Sequence, residues 1–128
     1  MATVCNCIMV TVADEVGKLA EVTDLIKDAG LNILALCAWV EGDKGKLLAH
    51  TSDNQKACAA VTDSVENCGW KEGLCVKAPN QPGALGQIAR KLADAGISIE
   101  LVYATVGDAP ATTVILHTSD NAKAAKIV

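Results

Sequence analysis

The side chains able to do chemistry fall into three groups: two histidine–hydroxyl–aspartate turns, a cysteine pair, and an asparagine–proline–glycine turn. His50-Thr51-Ser52-Asp53-Asn54 and His117-Thr118-Ser119-Asp120-Asn121 each set an imidazole near a hydroxyl and a carboxylate, the parts of a nucleophilic triad or a metal site. The pentapeptide occurs twice, each time where a β-prone run gives way to a polar, helix-prone one. A strand-to-helix joint needs such residues at every copy, because Asp53 and Asp120, or the serines before them, cap the helix that follows. Repetition thus favours a structural turn, with a small enzyme using His50 or His117 as the distant alternative. Cys5 and Cys7 lie two apart in a strand and share a face. The second copy has no such pair, and no C-x-x-C or regular zinc spacing occurs. Neither a metal nor a cofactor is expected. Cys37, Cys58, Cys68 and Cys75 read likewise as small buried hydrophobes, which suits a reducing cytoplasm.

The third group, Asn80-Gln81-Pro82-Gly83, lacks the glycines and the lysine of a phosphate-binding loop. It does set a polar side chain and then bare backbone amides at the start of a helix. Such an end attracts a carboxylate, because the first amides of a helix have no partner within it. Asparagine also shapes turns without any ligand. On physical grounds alone the two readings stand level.

The elements that position these residues are written twice. Gly17-Lys18-Leu19 is answered by Gly83-Ala84-Leu85, and Asp28-Ala29-Gly30-Leu31-Asn32-Ile33 by Asp94-Ala95-Gly96-Ile97-Ser98-Ile99. Residues 4–12 and 74–78 read as strands. Leu19, Val22, Ile26 and Ala29, and likewise Leu85, Ile88, Leu92 and Ala95, recur at helical spacing and predict one buried stripe in each copy. Gly30 and Gly96 close these helices. After Gly96 the period changes to two, assigning Ile97, Ile99, Leu101 and Tyr103 to the core and Ser98 and Glu100 to the other face. A third strand follows at 46–51 and 112–118, then a second helix that runs to about Glu66 in the first copy.

The order is β-α-β-β-α, twice, and antiparallel strands covered on one side by two helices make an α/β two-layer sandwich. The expected modules are 1–69 and 70–128. A closing strand near 70–73 is available to the first, while that of the second is absent or supplied by its partner module. Units of about 60 residues are marginal alone, so the halves are expected to share a core, a sheet or an interface.

A net charge of -4 with a single arginine, Arg90, excludes a phosphate-backbone binder. The first and third strands carry no aromatic residue, which excludes a sheet that stacks nucleobases. No run is long and apolar enough to span a membrane, and no signal peptide is evident.

Asn80-x-Pro82-Gly83-x-Leu85 followed by Leu92-Ala93-Asp94-Ala95-Gly96-Ile97-Ser98-Ile99 resembles the ACT domain, a ferredoxin-like βαββαβ regulatory module of amino-acid metabolism. The first copy resembles it through Gly17-x-Leu19 and Ala29-Gly30-Leu31-Asn32-Ile33. The resemblance implies a non-catalytic module that binds an amino acid between paired modules, through an asparagine of the helix-start turn in one and an asparagine opening the second strand of the other. Matched onto this chain, Asn80 and Asn32 form the complete pair, with Gly83, Ala84 and Leu85 presenting backbone to the ligand. Asp14, Gly17 and Ser98 form a second, altered site. The implied function is an amino-acid sensor acting on a regulated enzyme or another protein partner; the cysteines already suit the cytoplasm, and exposed strand edges favour a homodimer. The alternative is a structural or protein–protein adaptor with a vestigial ligand site.

Overall fold

A computed structural model describes residues 2–105 and 108–128. The elements run β1 (Ala2–Ala13), α1 (Lys18–Asp28), β2 (Ile33–Glu41), β3 (Lys44–Thr51), α2 (Asn54–Val61), a 3-10 turn (Thr62–Ser64), β4 (Asn67–Pro79), α3 (Ala84–Asp94), β5 (Ile99–Ala104), β6 (Ala111–Thr118) and α4 (Asn121–Ile127). They form two antiparallel, ferredoxin-like α/β units, one of Asn6–Lys71 and one of Met1–Cys5 with Glu72–Val128. The strand order is β2-β3-β1-β4 in the first and β1-β4-β6-β5 in the second. Among the described residues each unit therefore has four strands. The first draws its closing strand from residues 67–71 of β4, and the second from residues 2–5 of β1.

The ladders keep the same register in both units. Ile8 pairs with Ala49 and Val12 with Gly45, as Leu74 pairs with Leu116 and Ala78 with Thr112. Alternation then sends Ile8, Val10, Leu47 and Ala49 to the helix-covered face of the first unit, where Val22, Ile26, Ala57 and Val61 meet them. Leu74, Val76, Val114 and Leu116 meet Ala84, Ile88, Leu92 and Ala124 in the second.

Three expectations are corrected. Leu19 and Leu85 are about half exposed; the stripe is Ala84, Ile88 and Leu92, with Val22 and Ile26, so it begins one residue earlier than the leucines. Steps of four keep those side chains on one line, and the leucine after each glycine points off it. Exposure alternates over 97–103 as expected, but the odd positions do not share one face, because the register shifts at a β-bulge between Ile99 and Leu101, as it does between Ile33 and Ala35. An extra residue reverses the faces, so Ile99 packs on the helix side while Tyr103 stacks on His117 at 6.4 Å on the other. The second helix of the first copy ends at Val61 rather than near Glu66.

The cysteines differ as well. Cys5 bonds Cys75 within the second unit and Cys58 bonds Cys68 within the first, and Cys7 and Cys37 belong to neither disulfide. Each bond ties a closing strand to its own unit. These four residues are therefore cross-links, and their apolar neighbours in the sequence concealed that.

His117 is buried, and its Nδ1 donates to the Glu72 carbonyl at 2.9 Å. The ring lies over Gly73, where an added Cβ would meet Cε1 at 2.9 Å and the Leu116 carbonyl oxygen at 3.2 Å. Cys7 holds the equivalent position in the first copy, and His50 is only half-buried there. Gly73→Ala should therefore lower the unfolding free energy by about 1–3 kcal/mol through overpacking. Urea denaturation read by circular dichroism checks it against Gly69→Ala, whose Cβ would meet only the Asn67 side chain at 3.8 Å.

Candidate ligand-binding turns

The two helix-start turns have the same build. Gly17 and Gly83 occupy the N-cap positions of α1 and α3 with φ of 91° and 87°, values that favour glycine. No side chain caps either helix. Around the place where a Cβ would stand at Gly17 or Gly83 there is open space. Glu21 and Gln87 donate their amides to the carbonyls of Gly17 and Gly83, each at 3.0 Å.

What precedes the glycines differs. Asn80 donates its amide N–H to the Pro110 carbonyl at 2.9 Å and its side-chain Nδ2 to the Ala109 carbonyl at 3.0 Å. The side chain thus braces its turn against the loop before β6. Asp14 keeps the backbone bond, to the Asp43 carbonyl at 3.2 Å, but a carboxylate has no proton to give. Both residues are exposed.

Asn32 and Ser98 precede the second strand of each unit. The amide of Asn32 donates to Ser52 Oγ and its carbonyl accepts from the Ser52 amide, both at 3.0 Å; Ser98 makes the same pair of bonds with Ser119. The backbone is pinned and the side chain faces solvent. Within one unit the helix lies between the two positions: Asp14 stands at the start of α1 and Asn32 beyond its end. Eleven helical residues span about 16 Å. The structure thus groups Asn80 with Gly83, Ala84 and Leu85, and Asp14 with Gly17. It joins neither turn to the strand start of the same unit.

The repeated pentapeptide is committed to these joints. Asp53 Oδ1 and Asp120 Oδ1 accept the amides of Lys56 and Lys123 at 3.1 and 3.0 Å. Asn54 Oδ1 accepts from the amide and hydroxyl of Thr51, as Asn121 Oδ1 does from Thr118. The Asn54 and Asn121 amides then reach the carbonyls of Asn6 and Glu72. The aspartate caps were legible in the sequence. The serine and asparagine clasps were not, since their partners lie 20 residues or more away.

One cavity was not foreseen. About 240 Å³ opens in the first unit between the start of α1 and the ends of β1, β2 and β3. Val10, Val12, Val22 and Leu47 form its floor and Trp39 a wall, with Asp14, Glu15, Lys18 and Lys46 also lining it. Both lysines have partners: Lys18 bonds Glu21 at 3.3 Å and Lys46 bonds Thr11 Oγ1 at 3.1 Å. In the second unit Ala84, which is buried, replaces Lys18, and Ile88 replaces Val22. Thr105 and Thr113 stand where Trp39 and Lys46 do, and they bond each other, with Thr105 N–H to the Thr113 carbonyl at 3.0 Å. The copies have diverged at this spot. The cavity suits a small molecule with an apolar body.

No protein-family model and no curated protein matches the chain. Solved structures do. A Bacteroides thetaiotaomicron protein is 27% identical, with a TM-score of 0.89 over 98% of this chain and 87% of that one. The ligand-free regulatory subunit of aspartate kinase from Thermus thermophilus has a TM-score of 0.66 at 14% identity, over 97% and 91% of the two chains. The corresponding subunit from Thermus flavus has a TM-score of 0.65 at 14% identity, over 98% and 90%. The last two likenesses establish the fold.

Beside the Asp14 turn, Lys44 Nζ donates to Glu66 Oε1 at 2.7 Å. That bond, with Coulombic help from Glu66 and Asp43 against some desolvation, raises the lysine above its ordinary value of 10.5. A raised lysine contributes stability that is complete below the ordinary value and is lost as pH rises through the raised one. Glu66→Gln should therefore melt slightly below the parent chain at pH 8, and the gap should close towards pH 12 in thermal melts.

Proposed function

We propose that this chain is a tandem ACT-domain protein and a non-catalytic regulator that senses a free amino acid. The observation that carries the reading is the open helix start at Gly83. An eleven-residue helix begins there with no side-chain cap, on a glycine in the left-handed region with free space around it. Unsatisfied amides at a helix N-terminus favour an anionic group, and a ligand carboxylate meets that need. The brace from Asn80 to Ala109 holds the turn ready for it.

In this reading Asn80 and Asn32 serve one ligand, their carbonyl oxygens taking its ammonium and their amides its carboxylate. Gly83 and Leu85 offer backbone, whereas the Ala84 amide expected to join them is held by the Gln81 carbonyl at 3.3 Å. Asp14, Gly17 and Ser98 make the altered counterpart, where a carboxylate disfavours a second carboxylate and favours a cation. Binding acts downstream only if it changes association with something else. The partner is therefore an enzyme of amino-acid metabolism or another regulated protein. The adaptor reading draws support from β2, an outer strand of its unit with Leu34 and Val40 exposed, a suitable edge for homodimer pairing.

Calorimetric titration with the common amino acids tests the proposal. One of them should bind, and Asn80→Ala or Asn32→Ala should each weaken it by about 1–3 kcal/mol. Binding indifferent to both substitutions would remove the asparagine pair from the site. No binding, together with stable dimerisation in light scattering, would favour the adaptor.

A further inference from the structure

The second unit holds a cavity of about 170 Å³ lined by Thr3, Cys75, Val76, Lys77 and Thr113. Cys75, one partner of the Cys5–Cys75 disulfide, lines it and is half-buried rather than sealed. Lys77 follows two residues on, on the same face of β4, with its ammonium held by Thr113 Oγ1. A disulfide-bonded cysteine, an open cavity and a held cation thus occur together. A cation beside a sulfur attracts an incoming thiolate. The other disulfide, Cys58–Cys68, has no residue in that cavity.

We propose that Cys5–Cys75 is a thiol-exchange site for small thiols, with Cys75 as the sulfur attacked. A thiolate enters the cavity and bonds Cys75 Sγ; the Cys5–Cys75 bond breaks, and the electron pair leaves on Cys5, which takes a proton from water. A second thiolate attacks the small-molecule sulfur of the mixed disulfide. It leaves as the symmetrical disulfide, with Cys75 as the departing thiolate. Two thiols are oxidised and one protein disulfide is reduced.

Exchange has a structural consequence. Of residues 2–5, Thr3 and Val4 are exposed, and Ala2 is the residue that packs on the unit's core. With the bond cut, little burial holds that strand beside β4. The closing strand of the second unit is thereby placed under redox control, and this inference stands whether or not an amino acid binds.

The test uses the full chain, oxidised with oxidised glutathione, then exposed to reduced glutathione or free cysteine in a redox series. Acid quenching, alkylation and peptide mass spectrometry identify the bonds that remain. The expected result is an adduct on Cys75 before Cys58–Cys68 opens. Hydrogen exchange should then rise over residues 2–5 and 74–78. Lys77→Gln, an exposed substitution, should slow opening by about fourfold at low salt, less at high salt, without changing Cys58–Cys68. An adduct on Cys5, earlier opening of Cys58–Cys68, a rate indifferent to Lys77, or no oxidation of Cys5 and Cys75 would each overturn the proposal. Calorimetry reads the amino-acid proposal and adduct mapping reads this one, so each fails separately.

Discussion

Four strands are the smallest sheet that can cover two helices here, and each unit has to find its fourth beyond its own βαββα run. About 60 residues bury little surface, and an uncovered strand edge invites pairing with something else. The chain resolves this with two long strands. Residues 67–71 of β4 close the first unit, where Val65 and Cys68 join its core, and residues 2–5 of β1 close the second, where Ala2 does so. Each closing segment is then fastened by a disulfide. The rest of the structure depends on that completion, because the helices pack on faces that a three-stranded sheet would leave frayed.

Once the sheets are complete, the same register delivers the same turns. Val12 against Gly45 and Ala78 against Thr112 bring each first strand to the foot of its helix, where glycine supplies the left-handed N-cap. The copies diverge only in what surrounds this shared frame. Asparagine braces one turn where aspartate cannot. A buried alanine and a threonine pair stand where Lys18, Trp39 and Lys46 line a cavity in the first unit. His117 settles over Gly73, whose counterpart in the first copy is Cys7. A duplicated scaffold has kept its geometry and changed its chemistry at one end.

Much of this was legible in the residues. The repeated Gly-x-Leu and Ala-Gly pairs, the helical stripes and the aspartate caps come from local rules, and local rules survive folding. The bulges at Ile33 and Ile99 did not show, because no glycine or proline marks them; they reverse the face of every later residue in the strand. Cysteine pairing was equally hidden. Cys5 and Cys75 are 70 residues apart, and a thiol in an apolar run looks like core until its partner strand is known. The cavity at Trp39 arises from three separate strands and a helix, which no spacing in the chain brings together.

Deleting residues 2–5 and following the amides of β4, β6 and α3 by hydrogen exchange addresses strand completion most directly. The expected result is a large loss of protection across the unit built on 72–128, with Leu74, Val76 and Leu92 affected together as one cooperative body. Protection in that unit unchanged by the deletion would show that three strands suffice, and the closing role assigned to the start of β1 would be wrong.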